Sequence, residues 1–308
     1  MDASVRSTIF MGLVFAVSQL GAMVLAWAFI GKEMRVFENP NDPLIPIYYI
    51  IAVLLFTLAV LYIIRKHKEN IVRIIFLGAV AYTIFFVFLL IIAKFVGGIV
   101  SLPAAIVVAG IFTYYLIKKP EWYVIDAAGV VMAIGVIGIF GVSLSILPVM
   151  VLLIALAVYD AVSVYGTKHM LALADGVTRM RLPILLVIPK KRGYSFLKQK
   201  PLMEQLEEGE EREAMFMGLG DVIIPGVLMI SAFNFLPEKM IGEVSGSLLV
   251  ALGTLLGSLV GFAILMTFVL RGRPQAGLPL LNGGAIVGYL LSYLLVYGSL
   301  SFGISLPW

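Results

Sequence analysis

Apolar and polar positions alternate on a coarse scale from one end of the chain to the other. Nine apolar runs reach or approach the length a helix needs to cross about 30 Å of hydrocarbon, roughly eighteen to twenty residues. They cover Thr8 to Ile30, Ile47 to Ile64, Ile74 to Ala93, Ile99 to Ile117, Trp122 to Phe140, Ile146 to Tyr165, Ala214 to Phe233, Ser247 to Leu270 and Leu278 to Leu300. The pattern predicts an all-α, polytopic membrane protein with nine transmembrane helices. The first run is too long for a signal-peptide core and no small-residue cleavage site follows it, so it reads as a retained helix.

Charge then orients the set, because lysine and arginine are retained on the cytoplasmic side. With the N-terminus inside, the inner segments carry Arg6, then Arg65, Lys66, Lys68 and Arg73, then Lys118 and Lys119, nine residues between the sixth and seventh runs, and Arg271 and Arg273. That is 18 of the 22 basic residues, with only Lys32, Arg35, Lys94 and Lys239 outside. A missed or invented helix would scramble this alternation. The expected arrangement is a cytoplasmic N-terminus and an extracytoplasmic C-terminus, built as a six-helix part over residues 1–165, a partly flexible cytoplasmic loop over 166–213 and a three-helix part over 214–308, all in one integrated domain. The loop holds an apolar patch, "LPILLVIP" from Leu182 to Pro189, a basic stretch "KKRGYSFLKQK" and an acidic run "EQLEEGEERE". Eight apolar residues cannot span a bilayer, so the patch is expected at the membrane surface, interfacial or as a strand.

Composition agrees with the pattern. The 308 residues are 61% hydrophobic and only 13% charged, with a mean hydropathy of +1.07, far from the average of soluble domains. No cysteine is present and the histidines are two, His67 and His169, which excludes disulfides and leaves little scope for zinc. Neither a metal, a cofactor nor a nucleic-acid partner is expected. The lipid bilayer is the expected surrounding, obligate partner subunits are not evident, and a homo-oligomer stays open.

Against this apolar background, two acids stand out. Asp160 lies five residues before the inner end of the sixth run, and Asp221 about seven residues into the seventh. At 1.5 Å per residue both would sit on the order of 8–10 Å below the cytoplasmic interface, and consecutive antiparallel helices commonly pack together. Two carboxylates brought close in low dielectric share one proton. Such a pair suits amide hydrolysis, one member taking a proton from water while the other polarises the carbonyl and then serves the leaving amine. Buried acids also serve as proton relays and ion sites, so a proton-coupled transporter remains an alternative. That class should show inverted repeats with interrupted helices, and no acidic pair occurs in the first four runs. Asp126, four residues after Trp122 at the inner end of the fifth run, reads as an interfacial acid that snorkels to water. No HExxH is present for a metalloprotease, and neither histidine lies where it could serve an intramembrane serine.

Three short motifs carry a resemblance. "YD" at Tyr159–Asp160, "GLGD" over Gly218, Leu219, Gly220 and Asp221, and "LPLL" from Leu278 to Leu281 resemble the triple signature of the presenilin and signal peptide peptidase family of intramembrane aspartyl proteases. Their order along the chain, the nine runs and the long loop before GLGD match as well. The continuation "GLGDVIIPG" is closer to the signal peptide peptidase branch. The resemblance implies an aspartic endopeptidase that cleaves single transmembrane segments, with Asp160 and Asp221 as catalytic dyad and Pro279, Leu280 and Leu281 supporting its geometry. The family's third motif is Pro-Ala-Leu, so Leu280 is a departure that adds bulk beside the dyad. The prepilin peptidase class also uses a GxGD, yet this chain has neither its zinc-binding cysteines nor a lysine after the motif, where Val222 stands. Gly218 and Gly220 are expected to permit close helix approach and loosen the first turn around Asp221. Pro225 should bend the helix that follows, and Tyr159 should cap the groove or touch substrate. Gly253, Gly257 and Gly261 predict a close-packed seam on the eighth helix, and Asn282 is near enough to the third motif to reach substrate backbone. The compact loops point to the cytoplasmic membrane of a prokaryote, with an internal eukaryotic membrane as the alternative.

Overall fold

The computed structural model describes residues 3–29, 36–37, 39–66, 69–167, 183–191, 193–198, 213–271 and 275–304. Nine α-helices occur among them: α1 Ala3–Phe29, α2 Ile45–Arg65, α3 Glu69–Val96, α4 Gly98–Lys118, α5 Trp122–Ser143, α6 Ile146–Val162, α7 Leu219–Phe235, α8 Gly246–Leu270 and α9 Gly277–Tyr297. Seven of them, all but α2 and α7, are long and apolar enough to cross a membrane. Two antiparallel pairs of strands complete the described structure, β1 Leu185–Pro189 with β2 Ala214–Gly218, and the short hairpin of β3 Met240–Ile241 with β4 Val244–Ser245. The acidic run lies outside the described residues except for Glu213, as do both histidines.

The patch in the long loop is a strand, and it changes the seventh run. The first five residues of that run form β2, paired in register from Leu185 with Gly218 to Pro189 with Ala214, and the helix starts only at Leu219. An apolar run does not by itself distinguish one long helix from a strand followed by a shorter one. The choice is made by the partner strand, thirty residues upstream. Asp221 therefore sits in the first turn of a 17-residue helix rather than two turns inside a longer one.

The chain divides into two compact units. The first comprises the described residues within Met1–Val14, Ile50–Gly135 and Lys168–Leu219. Here α3 and α4 form an antiparallel hairpin reversed at Gly97, whose φ of 90° is open to glycine and strained for other residues. Val80, Ile84, Ala109, Leu116, Ile125 and Ala128 build the core, and Val187 of β1 and Ala214 of β2 pack into it. The small sheet is thus fastened to helices on one face, which a two-stranded ribbon needs for stability.

The second unit takes the described residues within Phe15–Tyr49, Val136–Thr167 and Gly220–Trp308. Its core joins Leu144, Val149 and Leu153 to Val227, Leu228 and Ala232 of α7 and to Ala285, Tyr289 and Tyr293 of α9. The predicted glycine seam is present, and it is reciprocal. A Cβ at Gly257 would fall on the carbonyl oxygen of Gly284, one at Gly284 on that of Gly257, one at Gly288 on that of Gly253, and one at Gly261 on that of Leu280. Without a hydrophobic drive between helices in lipid, such close contact is what holds them together. Tyr289, Tyr293 and Tyr297 stack along α9, and Tyr289 and Tyr297 donate to the carbonyls of Phe302 and Pro237 at 2.7 Å each. These bonds tie down the far end of the same helix.

Gly257→Ala should therefore destabilise the protein by about 1–3 kcal/mol, the usual cost of overpacking, because the obstacle is backbone and cannot rotate away. Gly110→Ala, on α4 with open space beyond its Cα, should be neutral or slightly stabilising, since alanine is the better helix former. Thermal unfolding in detergent compares the two; equal melting temperatures would contradict the seam.

Candidate active site

Asp160 lies two residues before α6 gives way to a wider, π-type turn, Ser163–Thr167. Its carboxylate is only 3% exposed. What makes burial tolerable is the start of α9. The first amides of a helix have no partner within it, and the Leu278 N–H donates to Asp160 Oδ2 at 3.0 Å, with the Gly277 amide as a second backbone donor. The positive end of the α9 dipole faces the same carboxylate.

Asp221 borders the same two residues. It is half-buried in the first turn of α7, and a methyl group placed on Gly277 would lie 3.3 Å from its Oδ2 and 3.5 Å from its Cγ. The start of α9 is thus common ground, its Leu278 N–H bonded to one carboxylate and the Cβ position of Gly277 lying beside the other. A side chain at Gly277 would crowd the Asp221 carboxylate by a few tenths of an ångström. The position precedes the LPLL motif by one residue, and no spacing rule points to it. Its importance comes from the closeness of three helix ends, which sequence does not display.

The third motif forms the first turn of α9. Pro279 falls where no intrahelical donor is required, so its missing N–H costs nothing. Leu281 is fully buried. At Leu280 the close approach to Gly261 is made by the backbone carbonyl, so the contact holds whether leucine or alanine stands there.

Other expected positions behave differently. Gly220 has open space beyond its Cα, so it is not a packing glycine. Leu219 is buried and its N–H donates to the Ile184 carbonyl at 2.9 Å, which extends the β1–β2 ladder by one bond, and Gly218 ends β2. Tyr159 is 49% exposed and faces away from the buried Asp160 beside it. Asn282 is engaged through its amide nitrogen, while its Oδ1 has no partner among the described residues. It is buried, and its Nδ2 donates to the Leu153 carbonyl at 2.9 Å, tying α9 to α6 two turns from Asp160.

Asp126 corrects the snorkelling expectation. It is 7% exposed, and its Oδ1 accepts the Val187 N–H at 2.7 Å. Depth along a helix indicated an interface; the strand lying over that helix removes the water. Tyr194 is near it, its phenol pushed up by burial and by the charges of Glu213, Glu121 and Asp126, so it stays protonated.

The family model described as signal-peptide peptidase, presenilin aspartyl protease, matches residues 11–297. The chain belongs to this family. A solved presenilin family intramembrane aspartate protease, in a C222 crystal form, is similar at 34% identity with a TM-score of 0.70, over 94% of this chain and 99% of that one. The structure of a presenilin family intramembrane aspartate protease in a P2 form gives 33% identity and a TM-score of 0.65, over 92% and 96%. No curated protein matches by sequence. The protein is an intramembrane aspartyl protease, an aspartic endopeptidase in a multi-pass membrane fold. The resemblance read from YD, GLGD and LPLL is therefore borne out at the level of family and activity.

Gly277→Ala, whose Cβ would stand 3.3 Å from Asp221 Oδ2, should lower the cleavage rate of this protease about tenfold, because small displacements in an active site are felt strongly, while leaving the melting temperature within a degree or two. Turnover of a transmembrane substrate alongside a thermal melt checks both parts; unchanged turnover would show that the crowding at Asp221 does not reach the chemistry.

Proposed function

We propose that Asp160 and Asp221 are the catalytic dyad with which the protease hydrolyses peptide bonds inside transmembrane segments. The observation that carries this reading is that both carboxylates border the start of α9, Asp160 through the Leu278 N–H at 3.0 Å and Asp221 within 3.3 Å of the Cβ position of Gly277. Of the two, the ionised member takes a proton from water as the water's oxygen attacks the scissile carbonyl. The protonated member gives its proton to the carbonyl oxygen as it gains charge, so the addition product is a neutral gem-diol and the pair still holds one proton. The resulting gem-diol collapses with a proton passed to the leaving amine, and the pair again holds one proton. The Leu278 N–H keeps Asp160 from rotating out of this arrangement, and Pro279, Leu280 and Leu281 hold the turn that presents that N–H. Tyr159 and the Gly218–Gly220 segment border the dyad in the chain and have supporting roles.

A helical substrate must be unwound before its amide can be reached, because every amide in it is already bonded. An extended segment then needs edge partners. Strand β1 has its outer side engaged at two points, Val187 N–H by Asp126 and Pro189 C=O by the Ser7 hydroxyl at 2.9 Å. Phe216 of β2 turns its N–H and C=O away from β1, and neither has a hydrogen-bond partner among the described residues. Strand addition at Phe216 is the reading we adopt.

Nine spans with the N-terminus in the cytoplasm and the C-terminus outside are the topology that the lysine and arginine distribution supports, α7 being a shorter helix of 17 residues. Signal-peptide-like or single-pass segments are the proposed substrates, and a prokaryotic cytoplasmic membrane the proposed location.

Asp160→Asn and Asp221→Asn, each tested in liposomes with a synthetic transmembrane peptide, should each lose at least about a thousandfold in turnover while melting like the parent protein. A variant that still cuts would remove its residue from the dyad. The chain has no cysteine, so single thiols report topology cleanly. Leu300→Cys should react with a membrane-impermeant maleimide added to intact cells, and Lys119→Cys only after permeabilisation; the reverse pattern would invert the proposed orientation.

A further inference from the structure

Asp126 is not used by the chemistry, yet it is a carboxylate buried in α5 with Oδ2 unpartnered among the described residues. An unpaired buried carboxyl oxygen is costly, so its one strong bond should matter. The register shows what that bond does. Lys190 N–H bonds Glu213 C=O at 2.8 Å and Leu219 N–H bonds Ile184 C=O at 2.9 Å, so even-numbered residues of β1 face β2 and the odd-numbered ones face outward. Val187 is the central outward residue. The Asp126 oxygen 2.7 Å from its nitrogen occupies the space of a neighbouring strand's carbonyl, since strands lie about 4.8 Å apart. At the strand end, Pro189 has no N–H to offer, and the Ser7 hydroxyl lies 2.9 Å from its carbonyl oxygen and 3.1 Å from that of Ala3, two acceptors for one proton. The hairpin thus has one edge fastened to α5 and α1, and on the other edge nothing among the described residues is bonded to the outward backbone of Phe216.

We propose that Asp126 is a positioning residue of the protease, a post on α5 that grips β1 by the Val187 N–H and makes the hairpin a rigid platform for an extended substrate segment on β2. This rests on the strand-addition reading given above. A side-chain oxygen of this reach is well suited to such a post, because it accepts the edge amide without a further strand, and an amide oxygen at the same place can do the same. A platform that holds substrate equally in ground and transition states acts on KM and leaves kcat alone, and its rigidity fixes which bond is presented.

The test compares the parent protein with Asp126→Ala, Asp126→Asn and a chain carrying the α-hydroxy analogue of valine at 187, which deletes the donor and keeps every side chain. All are measured in liposomes for kcat, KM and cleavage position by mass spectrometry. Asp126→Ala and the ester chain should raise KM about tenfold with kcat within about twofold, and should spread cleavage over neighbouring bonds. Asp126→Asn, which retains an acceptor, should stay within about threefold of the parent with a single main cut. Unchanged KM and cut site in the ester chain would overturn the proposal even where Asp126→Ala fails to fold. So would an asparagine variant as impaired as the alanine one. Phe216→Pro separates the two readings, because it removes an outward N–H without touching the β1–β2 ladder. If it leaves KM unchanged, strand addition at Phe216 is wrong and the proposal falls with it; if it raises KM while Asp126→Ala does not, the role of Asp126 alone is refuted.

Discussion

A buried carboxylate must have donors, and in a bilayer the donors must come from protein. Much of the second unit can be understood as a way of supplying them to Asp160. The cheapest source is a helix start, where amides are free by construction, and α9 begins at the right place to offer Leu278 N–H at 3.0 Å. That single bond places a polar group at depth without leaving it orphaned. It also fixes the orientation of the carboxylate.

The position of α9 is in turn set by backbone packing. Gly253, Gly257 and Gly261 of α8 meet Gly284, Gly288 and the Leu280 carbonyl of α9 with no side chain between. Contact at this distance tolerates little sliding. Asn282 adds a bond to α6 at Leu153, and the tyrosines at the other end of α9 bind the segment that follows it. The helix is held along its length, which is what a site requiring sub-ångström placement demands. Gly277 then completes the arrangement by having no side chain to crowd Asp221.

The first unit uses the same economy. Its short sheet is stabilised by packing on α3, α4 and α5 and by one carboxyl, Asp126, bonded to an edge amide. Both buried acids, Asp126 and Asp160, accept from backbone N–H groups rather than from basic side chains. In an apolar medium a backbone amide brings no second charge to be desolvated.

The membrane class, the family and the two acids were legible because each depends on residues near one another in sequence. Apolar length declares a membrane helix, and YD, GLGD and LPLL declare a relationship. The glycine repeat on α8 was legible for the same reason, as a fixed spacing on one helix. Tertiary structure alone decided that the seventh run is a strand and then a helix, since β2 exists only by pairing with β1. It alone decided that Asp126 and Asn282 each bond one backbone partner, and that Gly277 lies beside Asp221. Those outcomes depend on hydrogen bonds and contacts between residues up to more than a hundred positions apart, and hydropathy, a sum over neighbours in the chain, contains no information about which distant groups will meet.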